Sequence, residues 1–260
     1  MLKNIVNIVK IGGNVINNDD QLETFLVDFA KLQGLKILIH GGGKKATELA
    51  SQLGLAPKMI NGRRITDKAN LEVVTMVYAG LLNKNIVAQL QKHNCNAIGL
   101  TGADANIIKA HKRIVKEIDY GFAGDIDDVD HSNIKVFLDN KLTPIFCAIT
   151  HDKRGQLLNT NADTIASEVA VALSKEYKVV LTYCFEKNGV LENINDENSV
   201  INTINSQDYL SLKKDKIIAE GMLPKLENCF YALQHGVSKI IIGNPTLIAN
   251  VNQASTTLTL

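Results

Sequence analysis

The sequence predicts an α/β fold built on a mainly parallel sheet, and three observations carry that prediction. The run Ile5-Val-Asn-Ile-Val-Lys-Ile-Gly-Gly13 is short, apolar and rich in β-branched residues, as a strand buried on both faces requires. A second such run, Leu35-Lys-Ile-Leu-Ile-His40, leads straight into Gly41-Gly42-Gly43 and then into a helix over 44–53. Between the two strands Asp19 and Asp20 read as caps of a helix to about Gln33, with Leu22, Phe25, Leu26 and Phe29 on one face and Gly34 as its stop. Strand, helix, strand, glycine loop, helix is a parallel unit, so both glycine turns fall at the carboxyl ends of their strands. A glycine turn lets backbone N–H groups approach an anion, Lys10 adds a flexible ammonium, and the second turn opens a helix whose N-terminus favours negative charge.

Composition sets the outer bounds. At 260 residues, 45% hydrophobic and 21% charged, the chain has material for one large soluble domain or two lobes. A formal net charge of +1 gives no argument for a nucleic-acid partner. The apolar start is interrupted by Asn7 and Lys10 and does not read as a signal peptide, and no run approaches a membrane span. Cys95, Cys147, Cys184 and Cys229 are far apart in apolar surroundings, and they read as reduced core residues of a cytoplasmic protein.

Further along, Met59-Ile-Asn-Gly-Arg-Arg-Ile-Thr66 reads as a hairpin around Asn61-Gly62, a lid whose arginine could grip a carboxylate; two solvated arginines on a loop is the other reading. Asp67 caps one long helix to about Gln91, with Leu71, Val74, Tyr78, Leu81 and Leu82 as its apolar stripe, long enough to serve in a dimer. Ala97–Leu100 resumes the sheet, residues 107–118 alternate loosely as a ribbon, and the acidic stretch Asp125 to Asp130 reads as a solvated loop, since it lacks the spacing of a calcium loop. A helix over 132–139 and a strand over 144–149 complete the first half. Asp152 to Gly155 is a turn, and Asn159, Asn161 and Asp163 open a helix to about Ser174, where ordinary capping accounts for such residues. A strand over 177–185, a turn at Lys187-Asn-Gly189, a helix from Glu220 to Gln234 with Lys225 and Pro224 near its start, and a strand over 239–242 follow.

Five motifs then fall in one order: Lys10-x-Gly-Gly, His40-Gly-Gly-Gly43, Asn61-Gly-x-Arg64-x-Thr66, Asn159-x-Asn-Ala-Asp163 and Gly221-Met-x-x-Lys225. In order and spacing they resemble the amino acid kinase family over nearly the whole chain. The resemblance implies a three-layer αβα sandwich: residues 1–260 as a single kinase domain, with 1–150 an N-terminal lobe for acyl-glutamate and 151–260 a C-terminal lobe for ATP. It implies phosphorylation by ATP of the γ-carboxylate of N-acetyl-L-glutamate, as in arginine biosynthesis, or of N-succinyl-L-glutamate. By position, Lys10 and Lys225 would stabilise the transferring phosphoryl group and Asp163 would orient them. Gly42, Gly43, Arg64, Asn159 and Asn161 would bind the acyl amino acid. Lys10, Gly12, Gly13, Gly43, Thr182, Gly221, Met222 and Lys225 would bind ATP, and Mg²⁺ would be held mainly by the nucleotide phosphates. The chain starts close to its first strand, which is similar to the homodimers of the family that arginine does not regulate. Tyr183 stands where many members carry an aspartate, Glu220 where a glycine is common, and the tail Ser255-Thr-Thr-Leu-Thr259 lacks the usual Gly-Thr.

The residue types suit that chemistry independently. A γ-carboxylate with an ordinary pKa of about 4.3 is already ionised near neutral pH and needs no general base. Its obstacle is the approach of two anions, which lysines, Mg²⁺ and aligned N–H groups offset. A second carboxylate on the acyl group would need its own cation, for which Arg63, Lys58 and Lys109 are candidates. Two other classes stay open: a non-catalytic amino-acid or nucleotide sensor of the same fold, and an NAD-dependent oxidoreductase, because Gly41-x-Gly43-x-x-Ala46 matches a dinucleotide turn.

Overall fold

The computed structural model describes residues 3–60, 63–214, 218, 222–250 and 252–260. It is an α/β fold on an eight-stranded sheet, in the order Thr203–Ile204, Ser255–Leu258, Lys239–Gly243, Lys178–Cys184, Ile5–Ile11, Leu35–His40, Thr143–Cys147, Ala97–Leu100. Ile5–Ile11 pairs in parallel with Lys178–Cys184, as do Leu35–His40 with Thr143–Cys147 and Ala97–Leu100 with Thr143–Cys147; Ser255–Leu258 runs antiparallel to Lys239–Gly243. Val6, Ile8, Val9 and Ile11, on both sides of the first strand, are all buried, which explains its unbroken apolar pattern. Burying each of those side chains contributes about 1.5–3 kcal/mol. The chain divides into two compact units, Met1–Ile37 with Ala166–Leu260, and Leu38–Ile165.

In the first unit the helix Asp19–Lys31 is capped by Asn18, whose side chain accepts from the Gln21 N–H at 3.0 Å, one residue earlier than expected. Asp19 and Asp20 fall in the first turn instead, where negative charge meets the positive end of the helix. The other end is closed by Lys36 from the next strand, which donates to the carbonyls of Phe29, Ala30 and Leu32 at 2.9, 2.6 and 2.8 Å. Those carbonyls belong to the last turn, which has no donors of its own. One buried ammonium therefore joins helix to strand, and Gly34 at φ +82° turns the chain between them.

In the second unit the expected single helix from Asp67 to Gln91 is three segments: α-helix Lys68–Thr75, π-helix Met76–Leu82 and α-helix Asn83–Lys92. Asp67 caps it as expected, accepting from the Asn70 N–H at 2.8 Å. The wider π turn shifts the phase of the apolar stripe, so Leu71, Val74, Tyr78 and Leu82 are buried while Leu81 is 47% exposed. The acidic stretch also departs from expectation. Gly124–Val129 is a strand, paired antiparallel with Ile108–Lys112 in a four-stranded sheet. Its aspartates meet basic residues at the end of that ribbon: Lys109 bonds Asp128 at 2.8 Å, His111 bonds Asp127 at 2.6 Å, and Arg113 grips Asp125 with its Nε 3.1 Å from both carboxylate oxygens. Charges on the partner make a strand of residues with little strand preference of their own. Residues 114–118 of the expected ribbon lie outside any strand. The hairpin arms Met59–Ile60 and Arg63–Arg64 pair antiparallel, and their Asn61-Gly62 turn lies outside the described residues.

All four cysteines are free and buried. Among the described residues no helix is long and apolar enough to cross a membrane.

Candidate active site

The second glycine turn is held by a buried imidazole. His40 ends its strand fully buried, and burial pushes its pKa down to about 4, so the ring is neutral at ordinary pH. Its Nδ1 lies 2.8 Å from the Gly41 carbonyl and Nε2 3.1 Å from Asn83 Nδ2. With an acceptor on one side and a donor on the other, the proton belongs on Nδ1. The same Asn83 amide donates to the Ile145 carbonyl at 2.9 Å, tying the turn to the neighbouring strand. Gly42 follows at φ +154°, where a Cβ would stand 2.3 Å from Leu82 Cδ1 and 2.9 Å from Tyr78 Cδ1. Only glycine fits there. The π-helical segment therefore supplies both side chains that close over the turn, and Asn83 comes directly after it.

Arg64 is the charged group of this turn. Its guanidinium is buried, and Nη2 donates to the Gly43 carbonyl at 2.8 Å and to Thr47 Oγ1 at 2.6 Å. The Tyr78 ring packs beside it; burial pushes the phenol pKa up, with Arg64 opposing. Thr66 Oγ1 donates to the Arg64 carbonyl at 3.3 Å and accepts from Asn159 Nδ2 at 3.0 Å, so the hairpin arm and the Leu157–Asn159 strand are pinned to each other. Thr66 is further fixed by Gly121, at φ +65°, where a Cβ would lie 2.2 Å from the Thr66 carbonyl oxygen. Asn161 caps the helix Ala162–Ser174, its Oδ1 accepting from the Asp163 and Thr164 N–H groups at 2.7 and 3.3 Å. All five expected acyl-amino-acid ligands, Gly42, Gly43, Arg64, Asn159 and Asn161, line one cavity of about 460 Å³ within the second unit. A buried guanidinium on a cavity wall is chemically suited to a carboxylate. Asp163 stands in the first turn of the helix that Asn161 caps.

The first unit gathers the other expected residues. Lys10 pairs in register with Tyr183 and Ile11 with Cys184, and the Gly12 N–H donates to the Cys184 carbonyl at 3.1 Å, so the first glycine turn is fastened to the end of the adjacent strand. Gly13 begins a single helical turn there. Burial pushes the Cys184 thiol up to about 12, and the nearby Lys10 ammonium pulls against it. Lys225 Nζ lies 5.3 Å from the centroid of the Phe185 ring, one residue beyond that strand. Both ammonium groups thus belong to the carboxyl end of the strands Ile5–Ile11 and Lys178–Cys184. Thr182 is buried in the same strand, Met222 immediately precedes the helix Leu223–Gln234, and Gly221 and Glu220 lie outside the described residues. Tyr183 is fully buried; its hydroxyl is 2.8 Å from Ser167 Oγ, which lies 3.4 Å from the Asn228 carbonyl. The residue that replaces an aspartate of the family pattern is a core strut between two helices.

Tyr78, Thr47, Asn83 and Arg113 carry parts of this arrangement that motif spacing does not reveal. Tyr78 reads in the sequence only as one apolar stripe residue. Arg113 could have been found from its sign alone, since Lys109, His111 and Arg113 alternate and face an acidic run. The dinucleotide reading fails on topology: the helix Gly43–Gln52 leads to the two-residue arm Met59–Ile60, with no following strand of the parallel sheet to carry the acidic ribose ligand.

The description of the amino acid kinase family matches residues 6–244. The chain is 49% identical over 257 residues to an acetylglutamate kinase of Phocaeicola vulgatus, covering 99% of both, and 52% identical over 251 residues to an acetylglutamate kinase of Cytophaga hutchinsonii, covering 96% of this chain and 95% of that one. Among solved structures, the smu.665 protein of Streptococcus mutans UA159 superposes with a TM-score of 0.77 at 28% identity, with 98% of each chain covered.

Proposed function

The chain belongs to the amino acid kinase family, and from that premise we propose that it transfers the γ-phosphoryl group of ATP to the γ-carboxylate of N-acetyl-L-glutamate, a step of arginine biosynthesis. The observation that carries the substrate is the cavity in which buried Arg64 is clamped on the glycine turn beside Asn159. Arg64 takes the α-carboxylate of the acyl amino acid, and Gly42, Gly43, Asn159 and Asn161 hold the remainder. ATP is held by Lys10, Gly12, Gly13, Gly43, Thr182, Gly221, Met222 and Lys225. The two ammonium groups and the backbone N–H groups of the first glycine turn beyond Gly12, whose own N–H is on Cys184, form a donor set suited to phosphate oxygens.

The reaction needs no nucleophile from the protein. One γ-carboxylate oxygen, already ionised, bonds to the γ-phosphorus while the bond to the β-bridging oxygen breaks and ADP leaves with its electron pair. Lys10 and Lys225 offset the negative charge on the phosphoryl oxygens. Mg²⁺, when bound with ATP, neutralises further charge on the phosphates; among the described residues no three His, Cys, Asp or Glu side chains group to hold an ion by themselves. The protein acts in the cytoplasm as a homodimer. ADP release that requires both ATP and N-acetyl-L-glutamate tests this reading; release that is indifferent to the acyl amino acid contradicts it.

A further inference from the structure

Tyr78 reaches the Arg64 cavity from the π-helical segment Met76–Leu82, and it is 5% exposed there. Its ring lies along the second glycine turn. A Cβ on Gly42 would meet the ring carbons Cδ1 and Cε1 at 2.9 and 3.0 Å, and one on Gly43 would find the phenol oxygen at 3.6 Å. The hydroxyl therefore stands at Gly43, whose carbonyl accepts from Arg64 Nη2 at 2.8 Å. Nη2 gives its two N–H groups to that carbonyl and to Thr47 Oγ1, which leaves the Nε and Nη1 side of the fork for the phenol and for a ligand. Packing over Gly42 needs only the ring, and phenylalanine would supply it equally well. The hydroxyl calls for a separate reason, and a π turn inside a helix often marks a functional position.

We propose that the Tyr78 hydroxyl is a substrate-binding donor, which gives its proton in a hydrogen bond to the α-carboxylate of the acyl amino acid beside Arg64. This rests on the kinase reading above and adds one residue to its carboxylate site. A guanidinium can only donate, and Arg64 acts on the phenol through a side-chain hydrogen bond, so the phenol oxygen is the acceptor on that side. The phenol proton then points away from the guanidinium, and among the described residues no oxygen of the chain takes it. Cys147 is close enough to influence the phenol, but burial pushes its thiol up to about 12, so it keeps its own proton and is a weak acceptor. Burial also holds the phenol above the ordinary tyrosine range although Arg64 opposes it, so at neutral pH the group offers a donor and no second negative charge. An O–H on a cavity wall next to a guanidinium suits an ionised acceptor, to which its hydrogen bond is stronger than to a neutral one.

The test is Tyr78→Phe, which keeps the ring over Gly42 and deletes only the hydroxyl. The α-carboxylate does not change during phosphoryl transfer, so a bond to it is equally strong in the bound substrate and in the transition state, and its loss falls on KM. The expected result is a KM for N-acetyl-L-glutamate raised about tenfold or more, as for loss of one charge-assisted hydrogen bond, with kcat and the KM for ATP within about twofold of the parent values. The second arm uses 4-acetamidobutanoate, which is N-acetyl-L-glutamate with hydrogen in place of the α-carboxylate. As a competitor of N-acetyl-L-glutamate it should have the same inhibition constant in parent and variant. An unchanged KM, a loss confined to kcat, or an equal penalty with 4-acetamidobutanoate overturns this inference and leaves the kinase reading standing; the last two would show that the hydroxyl acts on the shape of the turn. No phosphorylation of N-acetyl-L-glutamate by the parent protein removes both.

Discussion

The amide of Asn83 and the imidazole of His40 meet 3.1 Å apart in the core, and through that contact the helix after the π-helical segment sets the position of the His40–Gly43 turn. Both side chains are buried, so water does not replace a lost partner. Asn83→Leu leaves His40 Nε2 and the Ile145 carbonyl without their donor. It should lower stability by about 1–3 kcal/mol and raise KM for the acyl amino acid. Urea unfolding with steady-state kinetics checks both, and an unchanged midpoint would show that the contact has no structural weight.

His40 also gives the protein a pH dependence. Its pKa lies near 4 in the folded chain against 6.5 unfolded. Below 6.5 the unfolded state takes up the proton first, so the neutral buried ring contributes fully above that value. Its contribution is lost as pH falls from about 6.5 to about 4, amounting to ~3 kcal/mol. His40→Gln should flatten that part of the stability profile relative to the parent chain. Parallel profiles in the two proteins would refute the assignment.

Gly42→Ala places a Cβ at φ +154° and 2.3 Å from Leu82 Cδ1. Either the turn moves or Leu82 does. Loss of about 1–3 kcal/mol of stability is expected, with a fall in turnover from the displaced loop, measurable by thermal unfolding and by initial rates.

Lys10→Ala should fold normally and lower kcat on the order of 10²-fold or more, as for loss of one oriented donor to the transition state. A circular dichroism spectrum and kcat measured together decide it. Near-normal turnover would remove Lys10 from the chemistry.

Tyr183→Phe deletes only the hydroxyl that reaches Ser167. The expected cost is about 1 kcal/mol of stability with KM for ATP within about twofold of the parent value. A large rise in that KM would place the hydroxyl in the nucleotide pocket after all.

The strands and the two glycine turns are legible because each is a local pattern: β-branched runs buried on both faces, stopped by glycines. The residues proposed to bind the substrate, Gly42, Gly43, Arg64, Asn159 and Asn161, are legible as motifs, and the structure gathers them in one cavity. What could not be read depends on partners distant in sequence. Asp125, Asp127 and Asp128 have little strand preference of their own and join a strand where Lys109, His111 and Arg113 pair with them. Tyr78 and Leu82 cover Gly42 only because a π turn rotates them, and the residues 76–82 carry no proline, while the single Gly80 does not by itself specify a π turn. Arg113 lines the cavity through the same ladder, which is why the sequence alone leaves Arg63, Lys58 and Lys109 as equal candidates for a second anion; Lys109 is spent on Asp128.

The central claim is tested most directly by trapping the acyl phosphate as its hydroxamate, with ATP and either N-acetyl-L-glutamate or free L-glutamate. The account predicts hydroxamate from the acylated compound and almost none from the free amino acid, with the yield abolished in Arg64→Ala. Equal product from free glutamate, or none from the acyl-glutamate while Mg-ATP still binds, would contradict it.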